Sequence, residues 1–170
     1  QENNLKHSKI YIPKQLPVYY ESVLTGLDIL ELSNFHLLNN KNIALVVNHT
    51  SVNRFDKNIA DLIRPIQNIR NPVIFTPEHG FFGNKSAGEK INKHHQYYNT
   101  KVISLYGKNK KPYKEDLDGI DLIVFDLQDV GSRYYTYAST LTLVLESASE
   151  NNIPVMVLDR PNPVRGDKIQ

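Results

Sequence analysis

The chain has 170 residues and no cysteine, enough for one domain burying roughly 70% of the surface its unfolded form exposes but excluding disulfides, thiolate metal sites and a Cys nucleophile. Twenty Lys plus Arg against eighteen Asp plus Glu leave a formal charge of +2, and the basic residues are scattered rather than gathered in a stripe, so no nucleic-acid partner is expected. No run approaches the roughly 20 apolar residues that cross a bilayer, and no charged-then-apolar signal segment opens the sequence, so a soluble protein is expected.

Residues 1–17, with "QENNLKHSKIYIPKQ" at their head, are rich in Asn, Lys and Gln and lack apolar periodicity; they are expected to form a flexible leader, and 18–170 the folded domain. Ser22 to Leu32 suits a helix. The run "NIALVV" (42–47) then reads as a strand, and Ile59, Leu62, Ile63 and Ile66 repeat at helical spacing, with Pro65 limiting the helix near its end. "PVIFT" (72–76) and "KVISLY" (101–106) are the next strands, followed by a short helix over Pro112 to Leu117. "DLIVFDL" (121–127) comes next. A long helix follows, with Tyr137, Leu141, Val144, Leu145 and Ala148 on its apolar face and Glu146 and Glu150 toward water, and "IPVMVLD" (153–159) is the last strand. Continuous Val/Ile-rich runs alternating with helices predict an α/β fold: a Rossmann-like three-layer sandwich around a mostly parallel sheet of about five strands.

In such sheets ligands bind outside the carboxyl ends of the strands. The residues there are Asn48-His49-Thr50, Pro77-Glu78-His79-Gly80, Tyr106-Gly107, Gln128-Asp129-Val130-Gly131 and Asp159-Arg160-Pro161-Asn162. Four of these five carry hydrogen-bonding or ionisable side chains, whereas the amino ends carry ordinary connectors, so one rim reads as the site.

Glu78 follows a stiffening proline and fits either a half-buried general acid or a loop ion-pair residue. Gly80, Gly83 and Gly88 suit a shaped loop, in which Glu89 is a second carboxylate or a solvated charge beside Lys90. In "FDLQDVGSRYYTY" (125–137), Asp126 and Gln128 share one side of a strand, Asp129 occupies the turn, and Arg133 near a helix start calls for a negative partner, either Asp129 or a bound anion. Tyr134, Tyr135 and Tyr137 could stack on a sugar ring or hydrogen-bond to it, although Tyr137, on the apolar helix face, reads first as core. Asp159 and Arg160 could pair with each other. Phosphate loops and the serine-hydrolase elbow are absent from the sequence, and the histidines lack metal-ligand spacing, so no cofactor and no metal is expected.

Taken in order, "TGLDIL", "VVNHTSV", "TPEHGFFGNKSAGEK", "SLYGKNKKP", "DLIVFDLQDVGSRYYTYASTL" and "IPVMVLDRPNP" closely resemble the exo-β-N-acetylmuramidases called NamZ. The resemblance runs from about Ser22 to the end. It implies a glycoside hydrolase that releases N-acetylmuramic acid from the non-reducing end of peptidoglycan fragments, in the bacterial periplasm or outside the cell. It further implies a Rossmann-like amino-terminal domain, matched here, and a second domain, not matched, with the active site in the cleft between them. Carried over by position, Glu78 is the expected general acid, His79 its orienting neighbour, and Asp126, Gln128, Asp129, Arg133 and Tyr135 line the sugar pocket. Asp126 is also a candidate for the second catalytic carboxylate, and Arg133 for the partner of the lactyl carboxylate. Asn48, Glu89, Asp159, Arg160 and Asn162 are further substrate-binding candidates. His49 stands where Gln is usual and Tyr134 where Phe is common. A non-catalytic sugar-binding module is the alternative reading.

Overall fold

A computed structural model describes residues 23–83 and 94–164, and for 71, 72, 94 and 95 only the backbone. The expected leader, Gly88, Glu89 and Lys90 lie outside the described residues.

Helix α1 (Gly26–Leu32) opens the described chain, and Thr25 and Asp28 close a reciprocal capping box at its start. Strand β1 (Lys41–Val47) follows, then helix α2 (Ile59–Ile63), strand β2 (Ile69–Thr76), strands β3 (His94–Tyr97) and β4 (Thr100–Ser104), strand β5 (Leu122–Asp126), helix α3 (Tyr137–Glu150) and strand β6 (Val155–Val157). One six-stranded sheet has the order β3-β4-β2-β1-β5-β6; β3 runs antiparallel to β4, and every other pairing is parallel.

The expected parallel architecture is therefore present with one strand more than anticipated. The addition, β3, is a four-residue edge strand whose sequence, "HHQY", has no apolar run to announce it. Helix α2 stops at Ile63, with Arg64 as its C-cap, because Pro65 lacks the amide hydrogen that would continue the ladder. The short helix expected over Pro112 to Leu117 is a single 3-10 turn at Lys114–Asp116.

The sheet separates two apolar layers, as a three-layer sandwich requires. Ile43, Leu45, Val47, Ile74 and Val124 pack toward α1 and α2, whereas Ala44, Val46, Phe75, Ile123 and Phe125 pack toward α3. Strand alternation assigns each residue its layer. On α3 the buried residues are Tyr137, Thr140, Val144, Ser147 and Ala148. Leu145, expected in the core, is 45% exposed. Ser147 is buried because its hydroxyl donates to the Pro112 carbonyl at 2.7 Å, which lets a polar group enter the layer at little cost. Glu146 and Glu150 face outward and share Lys111, at 2.6 and 2.9 Å.

The strand order reverses at β1: the chain passes from β1 to β2 and β4 on one side, then crosses to β5 and β6 on the other. At such a reversal the loops leaving adjacent strands part, and a crevice opens beyond their carboxyl ends.

Candidate active site

The loops leaving β1, β5 and β6 are tied together before any ligand arrives. Asn48 is buried; its Oδ1 accepts from the Thr50 amide at 2.8 Å and from Thr50 Oγ1 at 2.6 Å, and its Nδ2 donates to the Tyr137 hydroxyl at 3.0 Å. The Ser51 hydroxyl donates to the Asp126 carbonyl. Thr50 Oγ1 accepts from the Gln128 amide at 3.3 Å, and Gln128 Nε2 donates to the carbonyls of Asp129 and Pro161 at 2.8 and 3.0 Å. Short polar residues after each strand therefore replace the ladder bonds that end there, and fix the rim.

Beneath the rim lies a buried ion pair. Asp126 is fully buried and Arg160 nearly so; Arg160 Nε and Nη2 donate to the two carboxylate oxygens at 2.5 and 2.9 Å, and Nη2 also donates to the Val52 carbonyl at 3.0 Å. Burial pushes the Asp126 carboxyl above the usual carboxylate range against the opposing pull of Arg160. This corrects two expectations. Asp126 is not open to a ligand at the rim, because strand alternation turns it to the face of Leu122 and Val124, into the α1 layer. Arg160 pairs with Asp126 rather than with Asp159. Asp159 has an exposed side chain, and its carbonyl accepts from the Gly26 amide at 2.7 Å.

A cavity of about 420 Å³ opens where the loops after β1, β2 and β5 meet the start of α3. Its walls include His49 and Thr50, Glu78 and His79, Gln128, and Tyr134, Tyr135 and Tyr137. Glu78 is half-buried, and the turn that presents it is unusual: His79 and Gly80 both have positive φ, +71° and +74°. A left-handed conformation at a non-glycine residue costs roughly 1 kcal/mol or more, and such outliers gather at functional sites. Gly83, at φ +67°, lies against the His49 ring so closely that a Cβ would sit 2.3 Å from it. Only glycine permits that contact.

The Tyr137 hydroxyl is an oriented donor. The Thr50 amide must donate, so the Asn48 atom facing it is the oxygen and the atom facing Tyr137 is the NH₂. Tyr137 thus accepts from Asn48 and keeps its own proton for another acceptor. Burial raises its pKa, the Asn48 bond lowers it, and the charges of Tyr135, Glu78 and Asp129 raise it further. Two carboxylates, Glu78 and Asp129, therefore make themselves felt at this hydroxyl.

Residues 43–170 match the family model for the amino-terminal domain of the exo-β-N-acetylmuramidase NamZ. The chain belongs to the NamZ family. A Bacillus subtilis (strain 168) protein described as peptidoglycan β-N-acetylmuramidase NamZ is 42% identical over 149 residues, which are 87% of this chain and 36% of that protein. Two crystal structures of DUF1343 family proteins from Bacteroides fragilis NCTC 9343 share the fold. One has a TM-score of 0.76 at 38% identity over 86% of this chain; the other has 0.68 at 31% over 84%. In each comparison this chain spans 36% of the relative's length.

Of the residues that the NamZ resemblance singles out, the structure brings Glu78, His79, Gln128 and Tyr135 to one cavity. Asp129 stands beside it, with Oδ1 accepting from the Gly131 amide at 2.7 Å. Arg133 is exposed and forms no hydrogen bond or ion pair among the described residues, Asp129 included; it lies in the turn before α3, four residues ahead of the helix. Asn48 orders the rim from within. Asn162 is exposed on the loop after β6, and its side chain packs on Gly131 with no space for a Cβ between them. Thr136 was not anticipated, and Tyr137, which reads first as core, packs in the α3 layer and also reaches the cavity. A helix that follows a parallel strand begins at the strand's carboxyl end, so its first turn belongs to the rim; that signal was available in the sequence.

A second cavity, of about 380 Å³, adjoins the first and is lined by Leu105, Tyr106, Lys110, Ser139 and Leu143. Glu78 and Thr136 border both. Among the described residues no group of three His, Asp or Glu side chains converges as metal ligands would.

Proposed function

We propose that this chain is the amino-terminal catalytic domain, residues 18–170, of an exo-β-N-acetylmuramidase that releases N-acetylmuramic acid from the non-reducing end of peptidoglycan fragments, in the periplasm or outside the cell where that polymer lies. Glu78 is the general acid. The observation that carries the reading is the placement of Glu78: half-buried at the carboxyl end of β2, held by a strained turn, facing a cavity walled by hydroxyl, amide and imidazole groups. Family membership adds the reaction class, and the named Bacillus subtilis relative the polymer.

In this mechanism the Glu78 carboxyl gives its proton to the glycosidic oxygen as the bond to the anomeric carbon breaks, and the bonding electrons leave with that oxygen. Water then supplies the hydroxyl of the released muramic acid, and its remaining proton replaces the one that Glu78 gave up, restoring the acid. His79, on the same turn, orients Glu78. Asp129, in the turn after β5 next to the cavity residue Gln128 and with Oδ1 held by the Gly131 amide at 2.7 Å, is the candidate for the second role that glycosidases assign to a carboxyl group. Asp126 and Arg160 act as positioning residues that lock the loops after β1, β5 and β6. Gln128 and Tyr135 bind the sugar.

The test incubates the full-length protein with the muramic acid–glucosamine disaccharide and measures free N-acetylmuramic acid. Release is expected, and Glu78→Gln should lower it by about 10²–10⁴-fold with an unchanged melting temperature. Binding without release would make the protein a sugar-binding module instead, and full activity in Glu78→Gln would remove Glu78 from the chemistry.

A further inference from the structure

A general acid in a glycosidase must touch the oxygen that joins two sugars, so one sugar lies on each side of its carboxyl group. Glu78 borders two cavities and, with Thr136, forms the ridge between them. At about 420 and 380 Å³ both fall within the size of small-ligand sites, roughly 300–1,000 Å³.

Their walls differ in chemistry. The first offers the Gln128 amide oxygen, the His49 imidazole and the hydroxyls of Tyr134, Tyr135 and Tyr137, a set that can meet several sugar hydroxyls. The second is lined by Leu105, Leu143 and the partly exposed ring of Tyr106, with Thr136, Ser139, Thr140 and Lys110 as its polar groups beside Glu78. An amphipathic ring of this kind accepts the apolar face of a pyranose, and the leucines suit an acetamido methyl. Thr140 Oγ1 already donates to the Thr136 carbonyl at 3.1 Å, so fewer directional bonds are left for a ligand there, as suits a group that must depart after each turnover.

We infer that the cavity between Tyr106 and Ser139 is the subsite for the leaving saccharide, an N-acetylated hexosamine, while the cavity containing Tyr137 holds the muramic acid. This rests on the muramidase reading above and on Glu78 as the acid.

The experiment uses the full-length protein. Ser139→Trp places an indole in the second cavity from an exposed position on α3, and Tyr106→Ala removes the ring without adding bulk. Both should lower kcat/KM on the disaccharide by at least about tenfold and weaken binding of free N-acetylglucosamine by a similar factor. Binding of free N-acetylmuramic acid should stay within about twofold of wild type. Unchanged disaccharide turnover in both variants, or weakened muramic acid binding with glucosamine binding intact, would overturn the assignment. Those outcomes are separate from failure of the underlying reading, which shows as no muramic acid released by the wild type or as full activity in Glu78→Gln.

Discussion

Arg160→Met should destabilise the fold strongly, and for a reason that also decides what Asp126 does. Asp126 is fully buried, and in the native protein both of its oxygens are met by Arg160. Without the guanidinium the carboxylate stays in the interior unpaired, and the Val52 carbonyl loses that donor as well. Breaking a buried pair in this way costs about 3–5 kcal/mol, a large share of the 5–15 kcal/mol that holds a domain. With a urea slope near 2 kcal/mol/M, the unfolding midpoint should fall by about 2 M. The deficit should shrink on acidification. Burial already raises the Asp126 pKa; with Arg160 gone it rises further above its unfolded value, so the stability that remains is full at low pH and is lost as pH climbs through the folded pKa. The double variant Asp126→Leu/Arg160→Met should recover most of the loss, because apolar replacements need no partner. Urea unfolding at neutral and acid pH measures all of this. A cost below about 1 kcal/mol for Arg160→Met, or a double variant no better than the single, would refute the claim that this pair is a buried structural clamp.

Tyr137→Phe should cost about 1–3 kcal/mol by stranding the buried Asn48 amide, and should weaken muramic acid binding; calorimetry on the full-length protein reads both, and wild-type values would mean the hydroxyl is idle. Gly83→Ala should lose at least about 1 kcal/mol, since φ is +67° and the new Cβ meets the His49 ring; an unchanged melting temperature would argue against that packing. The Tyr97 phenol is pushed up to about 12, chiefly by burial and then by its bonds to Asp61 at 2.9 Å. Because the folded value exceeds the unfolded one, its contribution to stability is complete below about pH 10 and disappears as pH rises toward 12. Ultraviolet titration should show a late-ionising tyrosine that shifts earlier in Asp61→Asn; no shift would remove Asp61 as a cause.

The parallel core was readable in the sequence because strands buried on both faces are written as unbroken Val/Ile runs. Strand β3 was not, since an edge strand closing a sheet needs only backbone pairing and "HHQY" supplies no apolar pattern. Rim residues could be named from their place after each strand, but not the direction each faces. Asp126 and Gln128 share a strand side by alternation. Asp126 stays on the strand and turns into the α1 layer, whereas Gln128, two residues past the end, is freed to reach the cavity. Arg160 illustrates the same limit: its neighbour in sequence is Asp159, yet its partner lies 34 residues away, where parallel pairing of β5 and β6 sets the two strand ends side by side.

The most direct test is a crystal structure of the full-length Glu78→Gln variant with the muramic acid–glucosamine disaccharide bound. The glycosidic oxygen is expected within about 2.6–3.2 Å of the side chain at position 78, with the muramic acid ring among Gln128, Tyr135 and Tyr137. A disaccharide bound with its glycosidic oxygen far from that side chain would contradict it.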